Sequence, residues 1–306
     1  MYLPYQDYRS VHLPPKETVH SGMDNVMHSL VGRFKRRMRR ADLLLDQAGI
    51  IKDLSVPLSS LTEFELRSEL SNYAQTFRRG KYDRSQVFKA LAHLVEASVR
   101  LMDLRPHPVQ IAGVLGIYDG ALVEMATGEG KSLTASLAAI LVGWTGRPCH
   151  ILTVNDYLAG RDAQLYKRMF NFCGVSVGSV SEEMDDEQRR SIYQRDVVYT
   201  TAKQLLADFL RDRLKLKGVN HPGRRVLEKL AGTRGREELV LQGIDTAIVD
   251  EADSVLIDEA VSPLIISRPH ENRLMLDAIR IACDLAEHFV KDQAFEVDLQ
   301  FRVLRL

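Results

Sequence analysis

Met125-Ala126-Thr127-Gly128-Glu129-Gly130-Lys131-Ser132 separates two apolar stretches, Ala121 to Val123 before it and Leu133 to Trp144 after it. A strand, a glycine-bearing turn and a helix in that order form a cradle for an anion. Gly128 and Gly130 let the backbone turn its N–H groups inward, and the helix opening near Ser132 aims the positive end of its dipole at the same point. Lys131 reaches the β- and γ-phosphates and the Ser132 hydroxyl can hold Mg²⁺. The expected ligand is a nucleoside triphosphate, with Met125, Thr127, Gly128, Glu129, Gly130, Lys131 and Ser132 around it.

Met125 stands where the pattern GxxxxGK(S/T) has its leading glycine, so the loop is read as the tighter type used by helicase-like motors. A second motif supplies acids. Thr246-Ala247-Ile248-Val249-Asp250-Glu251-Ala252-Asp253 is an apolar strand that ends in carboxylates. In such sites the first acid, here Asp250, holds Mg²⁺ through water, and the second, Glu251, orients the attacking water and takes its proton. Adjacent side chains on a strand point to opposite faces, so the two acids converge on one ligand only where the strand ends and turns. Glu251 and Lys131 are therefore the candidate catalytic residues, and Ser132 and Asp250 the candidate Mg²⁺ ligands.

At 306 residues the chain has room for two domains, and Lys+Arg and Asp+Glu both number 41, so bulk charge favours neither nucleic acid nor membrane. Cys149, Cys173 and Cys283 show no CxxC spacing and no histidine at ligand distance, which speaks against a zinc site or disulfide framework and for the reducing cytoplasm. No signal-peptide pattern opens the sequence. Its longest apolar stretch falls far short of the ~20 residues a spanning helix needs.

Residues 1–23 read as an irregular, proline-bearing arm, and 24–104 as a helical segment. Its first helix begins at Asp24 with Val26, Leu30, Phe34, Met38 and Leu45 at helical spacing and Arg33, Lys35, Arg36, Arg37, Arg39 and Arg40 as a basic face. That face suits an anionic bilayer, nucleic-acid phosphates, or plain solvent. Ser59 or Ser60 is expected to cap a second helix through Phe77, and a third runs from about Ser85 to Met102. From 105 to 267, strands alternate with helices: Ala121 to Met125, His150 to Val154, Val175 to Val180, Asp196 to Thr201 and Thr246 to Asp250. The fold class is α/β, a doubly wound parallel sheet whose ligand site lies at the carboxyl ends of its strands. The basic stretch between Leu216 and Leu239 reads as a surface insertion.

These residues match a known family. The chain resembles SecA, the ATPase motor of bacterial preprotein export, from about Asp24 onward. The resemblance rests on Arg105 to Gln110, on VEMATGEGKSL at Val123 to Leu133, on LTVNDYLAGRDA at Leu152 to Ala163, and on IVDEADSVLIDEAVSPLIIS at Ile248 to Ser267. It implies ATP with Mg²⁺, adenine recognition by Gln110 and Arg105, and a coupling role for Arg161 and Asp156. It also implies preprotein substrates, a membrane protein-conducting channel, an anionic lipid surface met by the Arg33 to Arg40 helix, and a cytoplasmic location at the inner face of the cell membrane. Self-association into a homodimer stays open.

Departures from the family pattern point to a divergent or accessory member. Ala252 replaces the usual valine, so the motif spells Asp-Glu-Ala-Asp, and Ala202 and Lys203 replace paired asparagines ahead of a well-matched Asp208-Phe209-Leu210-Arg211-Asp212. The tetrad keeps an RNA or DNA helicase in view, and a non-catalytic nucleotide-binding module is the third reading. Residues 268–306 resemble the start of an inserted preprotein-binding domain, with Glu296-Val297-Asp298 and Arg302-Val303-Leu304 as its opening strands.

Overall fold

The computed structural model describes residues 23–38, 41–215, 239–241, 243–258, 273–287, 296–298 and 303–305. The arm, the stretch 217–238, the Pro-Leu-Ile-Ile-Ser segment and the side chains of the basic face at 33–40 fall outside them. The chain divides into two compact units, 1–264 and 265–306.

In the first unit the helices are α1 (Met23–Met38), α2 (Ala41–Ser55), α3 (Glu63–Arg78), α4 (Arg84–Met102) and α5 (Pro108–Tyr118), then α6 (Lys131–Trp144), α7 (Asp156–Phe172), α8 (Asp186–Tyr193) and α9 (Ala202–Lys215). The strands are β1 (Cys149–Thr153), β2 (Val177–Ser179), β3 (Val197–Thr201) and β4 (Thr246–Val249), paired in the order β2-β3-β1-β4 and parallel throughout. The second unit holds α10 (Arg273–Ala286) and an antiparallel hairpin of β5 (Glu296–Asp298) and β6 (Val303–Arg305).

Alternation along the strands puts helices on both sheet faces. Cys149, Ile151, Val197, Tyr199 and Ile248 join one buried cluster with α2 to α7. Leu152 and Val198 face a smaller one with Tyr193 of α8 and Leu205 of α9. The larger cluster is stapled by aromatic contacts: Phe77 stacks on Tyr82 at 4.1 Å and meets the edge of Trp144 at 5.6 Å, while Trp144 Nε1 donates to Cys173 O at 2.8 Å. On the opposite face a buried polar network replaces part of the apolar core. Asp208, fully buried, accepts from Arg189, Arg211, Tyr193 and Gln204. Asp212, also fully buried, accepts the amides of Val240 and Leu241 at 2.9 and 2.7 Å and so guides the chain into β4.

Four expectations change. The single amphipathic helix through Leu45 is two helices, and Leu45 belongs to the second, which packs on α4 and α5. Thr62, not Ser59 or Ser60, caps α3: it exchanges bonds with Glu65 in a capping box, whereas the two serine hydroxyls donate back to Val56 O and Pro57 O in a short 3₁₀ turn. Helix α5 was missed because residues 110–116 are buried all round, and a helix without a polar face has no period to read.

The fourth change concerns the segment before the phosphate loop. Ala121 to Met125 runs with strand-like alternation, Ala121, Val123 and Met125 turned inward and Leu122 91% exposed, but it joins no ladder among the described residues. Its inward side chains lie on α5 instead. A Cβ at Gly116 would meet Val123 Cγ2 at 2.8 Å, so only glycine lets the helix and the segment come this close.

On β1, His150 is 1% exposed, its Nδ1 has no hydrogen-bond partner among the described residues, and burial pushes its pKa from 6.5 down to about 4. The folded state thus keeps the ring neutral where the unfolded chain would take a proton. Stability is therefore full above the unfolded value and is lost as pH falls from about 6.5 towards 4, by up to about 3 kcal/mol. Denaturant titrations between pH 7.5 and 4.5 should show a steeper loss for the parent than for His150→Leu; equal slopes would assign the acid sensitivity elsewhere.

Candidate functional site

The phosphate loop enters α6 through Gly128 and Gly130, with φ of 87° and 77°, values that only glycine adopts without strain. Thr134 N to Gly130 O at 3.1 Å is the first bond of α6, so the amides of Lys131, Ser132 and Leu133 precede the ladder and stand as helix-end donors. Lys131 and Ser132 are half-buried, Thr127 and Glu129 are exposed, and Met125 turns its sulfur towards Gly113 of α5. Beneath the loop, Ser136 Oγ donates to Ser132 O at 2.7 Å and pairs with Tyr199 Oη at 3.0 Å. The helix start therefore rests on β3.

Gln110 sits between α5 and the loop. Its Oε1 accepts from His107 N at 2.7 Å and its Nε2 donates to Glu129 O at 2.8 Å, so both amide ends are engaged within the protein. A Cβ on Gly130 would collide with Gln110 Nε2. Arg105 is exposed on the approach to α5.

The carboxylates arrive at the carboxyl end of β4. Asp250 N donates to Leu152 O at 2.9 Å, which carries the β1–β4 pairing one residue past the strand. The backbone then turns: Glu251 has φ 54°, its amide returns to Asp250 Oδ1 at 3.1 Å, and Val255 N bonds Glu251 O. A left-handed non-glycine residue costs about 1–2 kcal/mol, and the price falls where the two acids must separate. Asp250 is half-buried and Glu251 exposed.

Burial raises the Asp250 carboxyl above its ordinary value; the Glu251 amide and Lys131 pull it down, Asp162 pushes it up and Arg161 pulls it down. Lys131, Asp250, Asp162 and Arg161 thus share one electrostatic neighbourhood, built from α6, β4 and α7. Asp156, at the start of α7, instead accepts from Glu182 N at 2.8 Å. Sequence reasoning passed over Asp162, Ser136 and Tyr199. Asp162 lies beside an arginine on a helix, where neighbours do not normally face each other, and Ser136 and Tyr199 meet across 63 residues with no pattern to announce it.

The donor set fits Mg²⁺. A hydroxyl and a carboxylate are hard oxygen donors, and this ion leans on phosphates and water more than on protein. No group of three or more His, Cys, Asp or Glu is arranged to hold a metal among the described residues. Among those residues, too, no helix is long and apolar enough to cross a membrane.

Replacing Gly130 by alanine adds both a Cβ against Gln110 and a strained φ. Gly130→Ala should destabilise the fold by about 1–2 kcal/mol and weaken nucleotide binding, and adding Gln110→Ala should recover part of the loss. Thermal unfolding of the three variants checks this; a Gly130→Ala protein that melts with the parent would mean the loop relaxes freely.

Residues 27–300 match the family model described as the SecA DEAD-like domain. The chain is 42% identical to "Protein translocase subunit SecA 2" of Chlorobium chlorochromatii over 99% of its length and 46% of that protein's. It is 38% identical to a protein of the same name from Magnetococcus marinus over 94% of its length and 45% of that protein's. Against "Protein translocase subunit SecA" of the Wolbachia of Brugia malayi it is 36% identical over 84% of its length and 27% of that protein's. The chain spans less than half the length of these relatives. With a phosphate loop on α6 and paired acids at the end of β4, and with the match covering nearly its whole length, the chain belongs to the SecA family.

Proposed function

We propose that this chain is the ATP-binding part of a motor that drives preproteins across the bacterial cytoplasmic membrane. The observation that carries it is the glycine turn, with Gly128 and Gly130 at positive φ, that opens α6 at Lys131 and Ser132, in the same fold as Asp250 at the carboxyl end of β4, whose carboxyl Lys131 draws down. The names of the relatives, protein translocase subunits, supply the substrate class. The Asp-Glu-Ala-Asp tetrad alone is shared with helicases, whereas the family match runs through 27–300.

In this reading the loop amides and Lys131 bind the triphosphate, and the Ser132 hydroxyl and Asp250, through water, hold Mg²⁺. When bound, that ion would supply positive charge to offset the negative charge growing on the phosphate oxygens. Glu251 orients the lytic water and accepts its proton. Gln110 and Arg105 recognise adenine, for which Gln110 exchanges its bond to Glu129 O for one to the base. The basic stretch Arg33 to Arg40 meets anionic lipid at the inner membrane face, where the channel and the preprotein are engaged. Arginines from a further motor domain would stabilise the transferring phosphoryl group, a contribution of about 10³–10⁵ in rate in comparable systems.

Lys131→Ala should weaken ATP binding tenfold or more, since each charge-assisted bond is worth about 1.5–3 kcal/mol. Calorimetry checks this, and equal affinity would remove the cradle. In a chain extended to the length of the relatives, Glu251→Gln should bind ATP but lose about 10²–10⁴ in turnover, whereas Asp250→Asn should lose the Mg²⁺ dependence of binding. Parent-like turnover in Glu251→Gln would strip that residue of its role as base. Turnover of the same protein, assayed with channel-bearing anionic vesicles, with single-stranded RNA and with neither, separates the motor from a helicase. Stimulation by vesicles supports the motor; stimulation by RNA alone overturns it.

A further inference from the structure

We infer that Asp162 is a positioning residue: its buried carboxylate holds the Arg161 guanidinium at the phosphate end of the nucleotide site, beside Asp250 and Lys131. The inference rests on the nucleotide-site reading above and adds to it a residue with no part in the phosphate chemistry.

Asp162 is 3% exposed, and its Oδ1 accepts a hydrogen bond from Arg161 Nε at 2.7 Å and makes an ion-pair contact with Nη2 at 2.7 Å. A charge-assisted bond and an ion-pair contact to two nitrogens of one planar group hold the guanidinium against the carboxylate. The pair is asymmetric: the aspartate side chain is 5% exposed and the arginine side chain 48%. One end is therefore anchored in the protein while the other edge of the fork, Nη1, lies outside the pair. Neighbours on a helix project about 100° apart, so this contact requires Arg161 to fold back over α7 rather than extend into solvent.

The anchor is itself enclosed, with Ala159, Ala163 and Tyr166 of the same helix all buried. A buried carboxylate deprived of its fork would be a desolvated charge, which gives the pair a reason to persist. An unanchored arginine would lose its rotamer freedom each time it met a phosphate; an anchored one has lost it already, which favours binding by about threefold to tenfold.

The test is titration of the 306-residue chain with a fluorescent ATP analogue and Mg²⁺, using the parent, Lys131→Ala, Asp162→Asn, Arg161→Ala, the Asp162→Asn/Arg161→Ala double variant and Arg161→Lys. Asp162→Asn and Arg161→Ala should each weaken binding about threefold to tenfold. The double variant should be no weaker than the worse single one, because both changes remove the same contact. Arg161→Lys keeps the charge but not the fork and should lose affinity as well. Additive losses, or parent-like affinity in Asp162→Asn, would overturn the inference. Should Asp162→Asn fail to fold, Arg161→Lys decides alone, since its side chain is half-exposed and parent-like affinity there would show that the fork is unnecessary. A parent that binds no ATP, or binds it equally after Lys131→Ala, brings down the nucleotide-site reading and this inference with it, whereas a sensitive Lys131→Ala beside an indifferent Arg161→Lys brings down this inference only.

Discussion

One backbone bond, from Asp250 N to Leu152 O at 2.9 Å, decides where the chemistry can be. It holds the end of β4 in register with the end of β1 and thereby puts the first acid at the carboxyl edge of the sheet. Parallel pairing makes such convergence routine, because every strand delivers its carboxyl end to the same edge and the helices that follow start there. Everything else about the site refines that placement. The left-handed backbone of Glu251 turns the chain immediately after the first acid, and the Ser136–Tyr199 contact levels the helix start against the sheet.

Most of the fold could be read from the sequence because its elements obey simple periods. β1, β3 and β4 and helices α6, α7 and α9 fall within a residue or two of their apolar runs. The failures have physical causes. Helix α5 has no polar face, so its pattern could be a strand, a helix or neither. The segment 121–126 has the alternation of a strand, but alternation only reports that one side is covered, and here the cover is α5 rather than a neighbouring ladder. The capping residue of α3 was misplaced because serines compete for caps in any turn, and only the reciprocal bond with Glu65 selects Thr62.

The site was legible where chemistry demands a fixed spacing. Lys131 and Ser132 follow their glycines, and Asp250 and Glu251 follow their apolar strand, so they could be named as candidates from spacing alone. What could not be named is what each side chain does before a ligand arrives. Gln110 spends both ends of its amide on His107 and Glu129, and Asp162 reaches back to its own neighbour. Such contacts depend on tertiary approach, not on a motif.

The clamp at the entrance to β4 has a consequence for the chain between α9 and that strand. Asp212 binds the amides of Val240 and Leu241, and Arg190 Nε donates to Leu239 O at 3.1 Å, so the returning backbone is held from two helices before the strand begins. Closing a longer excursion between fixed anchors raises the entropic cost only logarithmically, about 0.6 kcal/mol for each doubling of length. The position of Asp250 therefore depends on Asp212 and Arg190, which pin residues 239–241, rather than on the length of chain that separates them from α9.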